Sequence, residues 1–288
     1  LEPLELRSLG RWSIATNHLM IEAMRRAYAQ RATHLGDPDF VDIDPELWSK
    51  EYALAVGATI DREAVTPSRS LGPPIALAPE SPETTHFSVV DATGMAVSNT
   101  YTLEAGYGSG VVVRGAGFLL NNEMGDFNPN PGVTDERGRI GTEPNLVAPR
   151  KRMLSSMTPT IATRDGRVVL VTGSPGGRTI INTVLCVTMN VLEFGMDARE
   201  AVDAPRMDHE WFPERVRFVR ADEEPYRGLT EALRAMGHDV RATSGQGDAN
   251  TILIDADGTM HGAADARFGA AAAPAPTSEP LSSPSAPR

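Results

Sequence analysis

The chain has 288 residues, 41% of them hydrophobic and 23% charged, with a formal net charge of −11. That is enough apolar side chain for one large core or two small ones, and no Lys/Arg cluster is present to neutralise a nucleic-acid backbone. No apolar run approaches the roughly 20 residues of a membrane-spanning helix, and the single cysteine, Cys186, has apolar neighbours in Leu185 and Val187 and reads as a buried thiol.

The first residue is Leu1, so the chain reads as a fragment or a processed piece, and the lack of a leader says nothing about export. Residues 14–31 place Leu19, Met20, Ala23, Met24, Ala27 and Tyr28 at helical spacing on one face, with Gly36 as the stop. Asp44 as N-cap and Pro45 at the first position predict a second helix running to Gly57. Asp37, Asp39, Asp42 and Asp44 lack the ligand order and the glycine of a calcium loop, and are read as turn and capping residues. Residues 66–83 hold five prolines and read as an exposed linker ending at Glu83.

A hairpin follows, His86 to Val90 and Met95 to Thr102, around the turn Asp91-Ala92-Thr93-Gly94. Gly106, Gly108 and Gly110 crowd a loop with no helix pattern after it, which does not support a dinucleotide site. Phe118 to Leu120 read as a short buried strand, and residues 127–153 as a polar loop long enough to be a lid or binding loop. Strands at Pro159 to Ala162 and Val168 to Val171 flank the turn Arg164-Asp165-Gly166. The second runs into Gly173-Ser174-Pro175-Gly176-Gly177 and a helix from Thr179 to Phe194, a geometry that aims backbone N–H groups at an anion. Without a phosphate-loop lysine, an oxyanion hole is the better reading. Further helices are expected after the Asp197 cap and over Pro225 to Met236, with a last hairpin around Asp255-Ala256-Asp257-Gly258. From Ala270 an Ala/Pro/Ser tail reads as disordered. His209-Glu210 lacks the second histidine of a zinc helix, and packing or surface roles are favoured for these two and for His86.

Thr84, at the end of the Pro-rich approach, reads as the nucleophile of an N-terminal-nucleophile hydrolase. A threonine hydroxyl needs an adjacent base, and an α-amino group freed by a cut between Glu83 and Thr84 supplies one. Thr84-Thr85-His86-Phe87-Ser88-Val89-Val90-Asp91, Leu120-Asn121-Asn122-Glu123-Met124, Leu154-Ser155-Ser156-Met157-Thr158-Pro159-Thr160 and Gly173-Ser174-Pro175-Gly176-Gly177 stand in that order. Together they resemble the γ-glutamyltransferase (glutathione hydrolase) family over roughly Leu19 to Gly269. The resemblance implies an α/β (α+β) αββα sandwich, incomplete at its N-terminal side and made as a self-cleaving proenzyme. Residues 1–83 would be the last part of the large subunit, 84–269 the small catalytic subunit and 270–288 the tail.

By the same resemblance Thr84 accepts the γ-glutamyl group as an ester, and Thr102 hydrogen-bonds the nucleophile and assists processing. Glu104, Glu123 and Asp126 hold the donor's α-amine, Ser155 and Ser156 its α-carboxylate, and the N–H groups of Gly176 and Gly177 form the oxyanion hole. Members bind the α-carboxylate also through an upstream arginine outside this chain, and many bacterial ones carry an aromatic in the lid loop where Arg137 falls here. No cofactor or metal is implied. The expected partners are glutathione or other γ-glutamyl compounds, with an amino acid, peptide or water as acceptor, the two subunits pairing as a heterodimer. Bacterial members imply a periplasmic or secreted location. Two alternatives stand beside this reading: an amidase resembling the cephalosporin acylases of the same fold, and an inactive remnant that only binds a ligand or partner.

Overall fold

A computed structural model describes residues 1–72, 84–128, 131–132 and 141–274. The helices are α1 (Leu6–Leu9), α2 (Ile14–His34), α3 (Lys50–Gly57), α4 (Ile180–Leu192), α5 (Ala198–Asp203) and α6 (Arg227–Met236). The strands are β1 (Thr85–Val90), β2 (Ala96–Tyr101), β3 (Thr160–Arg164), β4 (Arg167–Gly173), β5 (Met207–Asp208), β6 (Val216–Val219), β7 (Val240–Thr243), β8 (Asn250–Ile254) and β9 (Met260–Ala264).

The centre is a four-stranded antiparallel sheet in the order β3-β4-β8-β9. Helices α4 and α5 cover one face, and Leu170, Val187, Val191, Ala201, Val202 and Ala263 form the core between the layers. On the other face lies the β1–β2 ribbon, whose inner residues are mostly polar and, apart from His86, short. Ser98 donates to the Thr172 carbonyl at 2.9 Å and Ser88 to the Asn250 carbonyl at 2.9 Å. Small side chains thus let the two sheets approach closely, giving the α-β-β order of the αββα sandwich. The outer face of the ribbon, with Phe87, Val89, Val97 and Tyr101, is exposed.

Beside the sandwich, β5, β6 and β7 make a small mixed sheet in which only β6 and β7 run parallel. It packs with α2, α4 and α6 around Leu19, Met20, Ile21, Met24, Cys186, Met207, Phe218 and Leu233. Cys186 is fully buried, as its neighbours suggested, and burial pushes its thiol up from the ordinary value.

Several expectations need correction. Helix α2 is not buried on one face: Asn17, His18, Glu22, Arg25 and Arg26 are as buried as Leu19 and Met20, whereas Ala27 is exposed. Glu22 pairs with Arg25 and Arg26, while Asn17 and His18 bond to Arg11 and His238, so burial here follows pairing and not hydropathy. The expected helix from Asp44 to Gly57 is a 3-10 turn, Pro45–Trp48, and then α3, because Ser49 re-caps the chain on the Tyr52 N–H. Asp37 and Asp39 do more than form a turn, since both take the Arg152 guanidinium at 2.6 Å. Residues 66–72 are docked: Trp211 donates to the Ser68 carbonyl at 2.6 Å and Ser68 is fully buried. Phe118 and Leu120 are exposed, and Leu119 makes only an isolated bridge with Val112. Residues 73–83, Arg137 within the lid loop and the tail from 275 lie outside the described residues.

Candidate active site

Thr84 directly precedes β1, and the pairing of Thr85 with Tyr101 sets it beside Thr102 at the end of the ribbon. Both line one cleft together with Glu104, Glu123, Asp126, Ser155, Ser156, Met157, Gly177 and Ile180. The four sequence motifs, scattered over nearly a hundred residues, therefore converge on one place. Glu83 lies outside the described residues, and Gly176 stands one residue behind the cleft wall.

The acidic side is built by short loop bonds. Thr102 Oγ1 accepts the Glu104 N–H at 2.8 Å, and Glu104 takes a left-handed conformation, φ 70°. Asn122 ties the two segments by accepting the Ala105 N–H through its side chain at 3.0 Å and donating its own N–H to the Leu103 carbonyl. The Glu104 carboxylate then lies so close to Gly125 that a Cβ there would sit 2.0 Å from Oε1, and a side chain at 125 would displace that carboxylate. Glu123 opens the 3-10 turn Glu123–Asp126 and is 7% exposed. Neither of its carboxylate oxygens has a hydrogen-bond partner among the described residues. A buried carboxylate without a donor is costly unless something supplies one.

The opposite side carries hydroxyls. Ser155 Oγ accepts the Met157 N–H at 3.1 Å, and Ser156 Oγ accepts from Arg31 Nη2 at 2.8 Å. Arg31 reaches this point from α2 and places a guanidinium behind the serines, a contact invisible in sequence because 125 positions separate the pair. At the floor, β4 ends in the glycine turn. Gly176 and Gly177 have φ of 131° and 56°, and the Gly176 carbonyl accepts from both the N–H and the hydroxyl of Thr179. A short 3-10 turn, Gly177–Thr179, leads into α4, so its N-terminal end faces the cleft with Ile180 in the wall.

Under β1, His86 is buried against Gly173, where a Cβ would lie 2.1 Å from the imidazole, and its nitrogens lie 2.8 Å from Thr100 Oγ1 and 3.1 Å from Ser88 Oγ. Burial pushes its pKa down to about 4. This is a packing role, as the sequence favoured.

Residues 1–275 match the family described as Gamma-glutamyltranspeptidase. The chain belongs to the gamma-glutamyltranspeptidase family. It is 41% identical over 268 residues to the Glutathione hydrolase proenzyme of Escherichia coli K12, covering 93% of this chain and 46% of that protein. It is 35% identical over 269 residues to the Acylase ACY 1 proenzyme of Pseudomonas sp. SE83, covering 92% and 44%. Among solved structures, the gamma-glutamyltranspeptidase from Pseudomonas nitroreducens complexed with L-DON is 42% identical, with a TM-score of 0.59, covering 67% of this chain and the whole of that one. The chain thus spans somewhat under half the length of these curated relatives.

One group of three potential metal donors stands out among the described residues of this family member: His18, Glu22 and His238, all buried, with ligand atoms within 4.8 Å of one another. It does not suit a cation. Glu22 is already paired with Arg25 at 3.2 Å and Arg26 at 2.6 Å, so a divalent ion would meet two fixed guanidiniums. The imidazoles instead contact each other, His18 Nδ1 to His238 Nε2 at 2.8 Å. His209 accepts the Trp211 N–H at 3.0 Å, and Glu210 pairs with Arg178 and Arg217, so neither forms a metal site. Among the described residues, no helix is long and apolar enough to cross a membrane.

Proposed function

We propose that this chain is the catalytic part of a self-processing γ-glutamyl transferase or hydrolase that acts on glutathione and related γ-glutamyl amides. The observation that carries the reading is the buried Glu123 carboxylate, without a hydrogen-bond partner among the described residues, in the same cleft as Thr84, Ser155 and Ser156. A γ-glutamyl donor presents a cationic amine and an anionic carboxylate on one carbon. Glu104, Glu123 and Asp126 suit the first and the two serines, backed by Arg31, suit the second, through charge-assisted hydrogen bonds.

Cleavage between Glu83 and Thr84 frees an amine whose unperturbed pKa of about 7.7–8.0 lets it accept the Thr84 hydroxyl proton. Oγ1 attacks the γ-carbonyl carbon, with Thr102 hydrogen-bonding the nucleophile. The oxyanion forms against the N–H groups of Gly176 and Gly177, donors of the kind whose single loss costs about 3–4 kcal/mol of barrier. The α-ammonium then returns its proton to the leaving amine, leaving a γ-glutamyl ester on Thr84, and water or an acceptor amine repeats the sequence to release the product. Every step uses groups of the chain, with no cofactor. In this reading residues 84–269 are the small subunit, 1–83 the end of the large one and 270–288 a tail, and the processed protein is exported to the periplasm or medium as bacterial members imply. The solved chain matched in full by part of this one supports such a division.

Mass spectrometry of the incubated complete protein should reveal a fragment beginning at Thr84, and Thr84→Ala should remain uncut. An uncut wild type that still turned over γ-glutamyl anilide would sink the mechanism. The acylase relative motivates a second reading, hydrolysis of a glutaryl-type amide. Equal rates on γ-glutamyl and glutaryl anilides would favour it, whereas dependence on the α-amine favours the first.

A further inference from the structure

We infer that Asn145 is a positioning residue that sets the span of the donor clamp, holding its acidic and serine arms at the separation a single α-carbon demands. The inference rests on the function proposed above.

Asn145 closes the 3-10 turn Glu143–Asn145, is 5% exposed, and lies outside the cleft that holds Thr84. Its side chain nevertheless touches both arms. Nδ2 donates to the carbonyl of Asp126 at 2.7 Å, and Oδ1 accepts the N–H of Leu154 at 2.9 Å, the residue before Ser155. One amide group thus bridges two segments that chain connectivity leaves far apart.

The bridge is itself held from two directions. The Asn145 carbonyl accepts the Asn128 N–H at 2.9 Å, and Asn128 Nδ2 donates to Thr142 at 2.8 and 3.0 Å. From the other side, a Cβ on Gly36 would lie 2.1 Å from the Pro144 carbonyl, so the turn sits directly against the end of α2. Asp37 then accepts the Arg152 N–H at 2.7 Å, two residues before Leu154. Fixed at both ends, the Asn145 amide has little freedom to let the arms drift.

The consequence is chemical. The donor's amine and carboxylate are one carbon apart, so both are satisfied only at one arm spacing, and a misplacement of about 1 Å at a positioned substrate can cost about a hundredfold in rate. A donor that uses one arm does not feel that spacing. Asn145 therefore governs selection for α-amino acid donors without touching the donor.

The test uses the complete processed protein and compares Asn145→Asp, which keeps the acceptor for Leu154 but loses the donor to Asp126, with Asn145→Gln, which keeps both on a chain one methylene longer. Kinetics are measured with L-γ-glutamyl-p-nitroanilide and with glutaryl-p-nitroanilide, which retains the carboxylate but lacks the amine. Both variants should raise KM for the γ-glutamyl donor about tenfold, the loss expected for one or two positioning hydrogen bonds. Its kcat should stay within about threefold, and the parameters for the glutaryl donor should not move. Unchanged KM for both donors overturns the inference, and so does a parallel fall in kcat that tracks the processed, folded fraction, the mark of a structural role. A wild type inactive on γ-glutamyl donor overturns the functional reading and this inference together, whereas an active wild type with unaffected variants overturns this inference alone.

Discussion

His86 shows how one side chain serves the site without joining it. Its ring fills the space that Gly173 leaves open, between the strand that starts after Thr84 and the strand that ends in the glycine turn. Burial lowers its pKa to about 4, so the folded state favours the neutral ring. The sign follows: the stabilisation is complete above the unfolded value of about 6.5 and is lost as pH falls from there toward 4. The His86 ring protons, followed by NMR, should titrate near pH 4 and not near 6.5, and His86→Gln should flatten the acid side of the stability curve. A ring titrating at 6.5 would show that it is solvated. At this scale the convergence of Thr84, Glu123, Ser155 and Ser156 on one cleft was legible in sequence because each sits in a contiguous motif. Arg31 and Asn145 were not, because their partners come from other parts of the chain and neither residue type signals its contact.

Elements were legible where turn chemistry is local. The hairpins around Asp91-Gly94 and Asp255-Gly258, the helix after the Asp197 cap and the helix ending at Met236 all form as expected. The β5-β6-β7 sheet was missed, since strands of two to four residues show no clear alternation and are defined by pairing with distant segments. One such distant pairing supports the glycine turn. Gly247, at φ +62°, lies beneath it, and a Cβ there would meet Ser174 Oγ at 2.4 Å and Thr183 at 2.8 Å. The next residue, Asp248, donates its N–H to Ser174 Oγ at 2.8 Å. A methyl group at 247 is strained both by φ and by space, so Gly247→Ala should destabilise the protein by about 1–3 kcal/mol. It should also lower kcat more than it raises KM, because the turn it displaces carries the proposed oxyanion donors. Denaturant unfolding and steady-state kinetics check the two effects, and a kcat equal to wild type would separate the Gly247 loop from the oxyanion donors.

At the scale of the whole molecule, the proposed cut before Thr84 does not fall between two independent bodies. Leu6, Leu19, Met20, Ile21 and Met24 from one side share a core with Cys186, Met207, Phe218 and Leu233 from the other. Each such side chain contributes about 1.5–3 kcal/mol by burial. Polar contacts cross the same boundary: Arg25 pairs with Glu214, Trp211 donates to the Ser68 carbonyl, and His18 meets His238. Sequence alone suggested a linker between two regions, because prolines report local conformation and carry no information about what docks on them. The two pieces should therefore co-elute on size exclusion at pH 7 after cleavage. Arg25→Ala, which removes the cation that pairs with Glu214 across the boundary and leaves the buried Glu22 paired with Arg26, should weaken the association and release a separate fragment. Acid should do the same more gradually. Burial, with His18 and Arg25 adding to it, lowers the His238 pKa to about 4, so the contribution of the neutral His238 ring is complete above about 6.5 and is lost progressively as pH drops toward 4. His238→Gln should remove that part of the pH dependence while leaving co-elution at pH 7 intact. Pieces that separate readily at neutral pH would show that the shared core is not what holds the processed protein together.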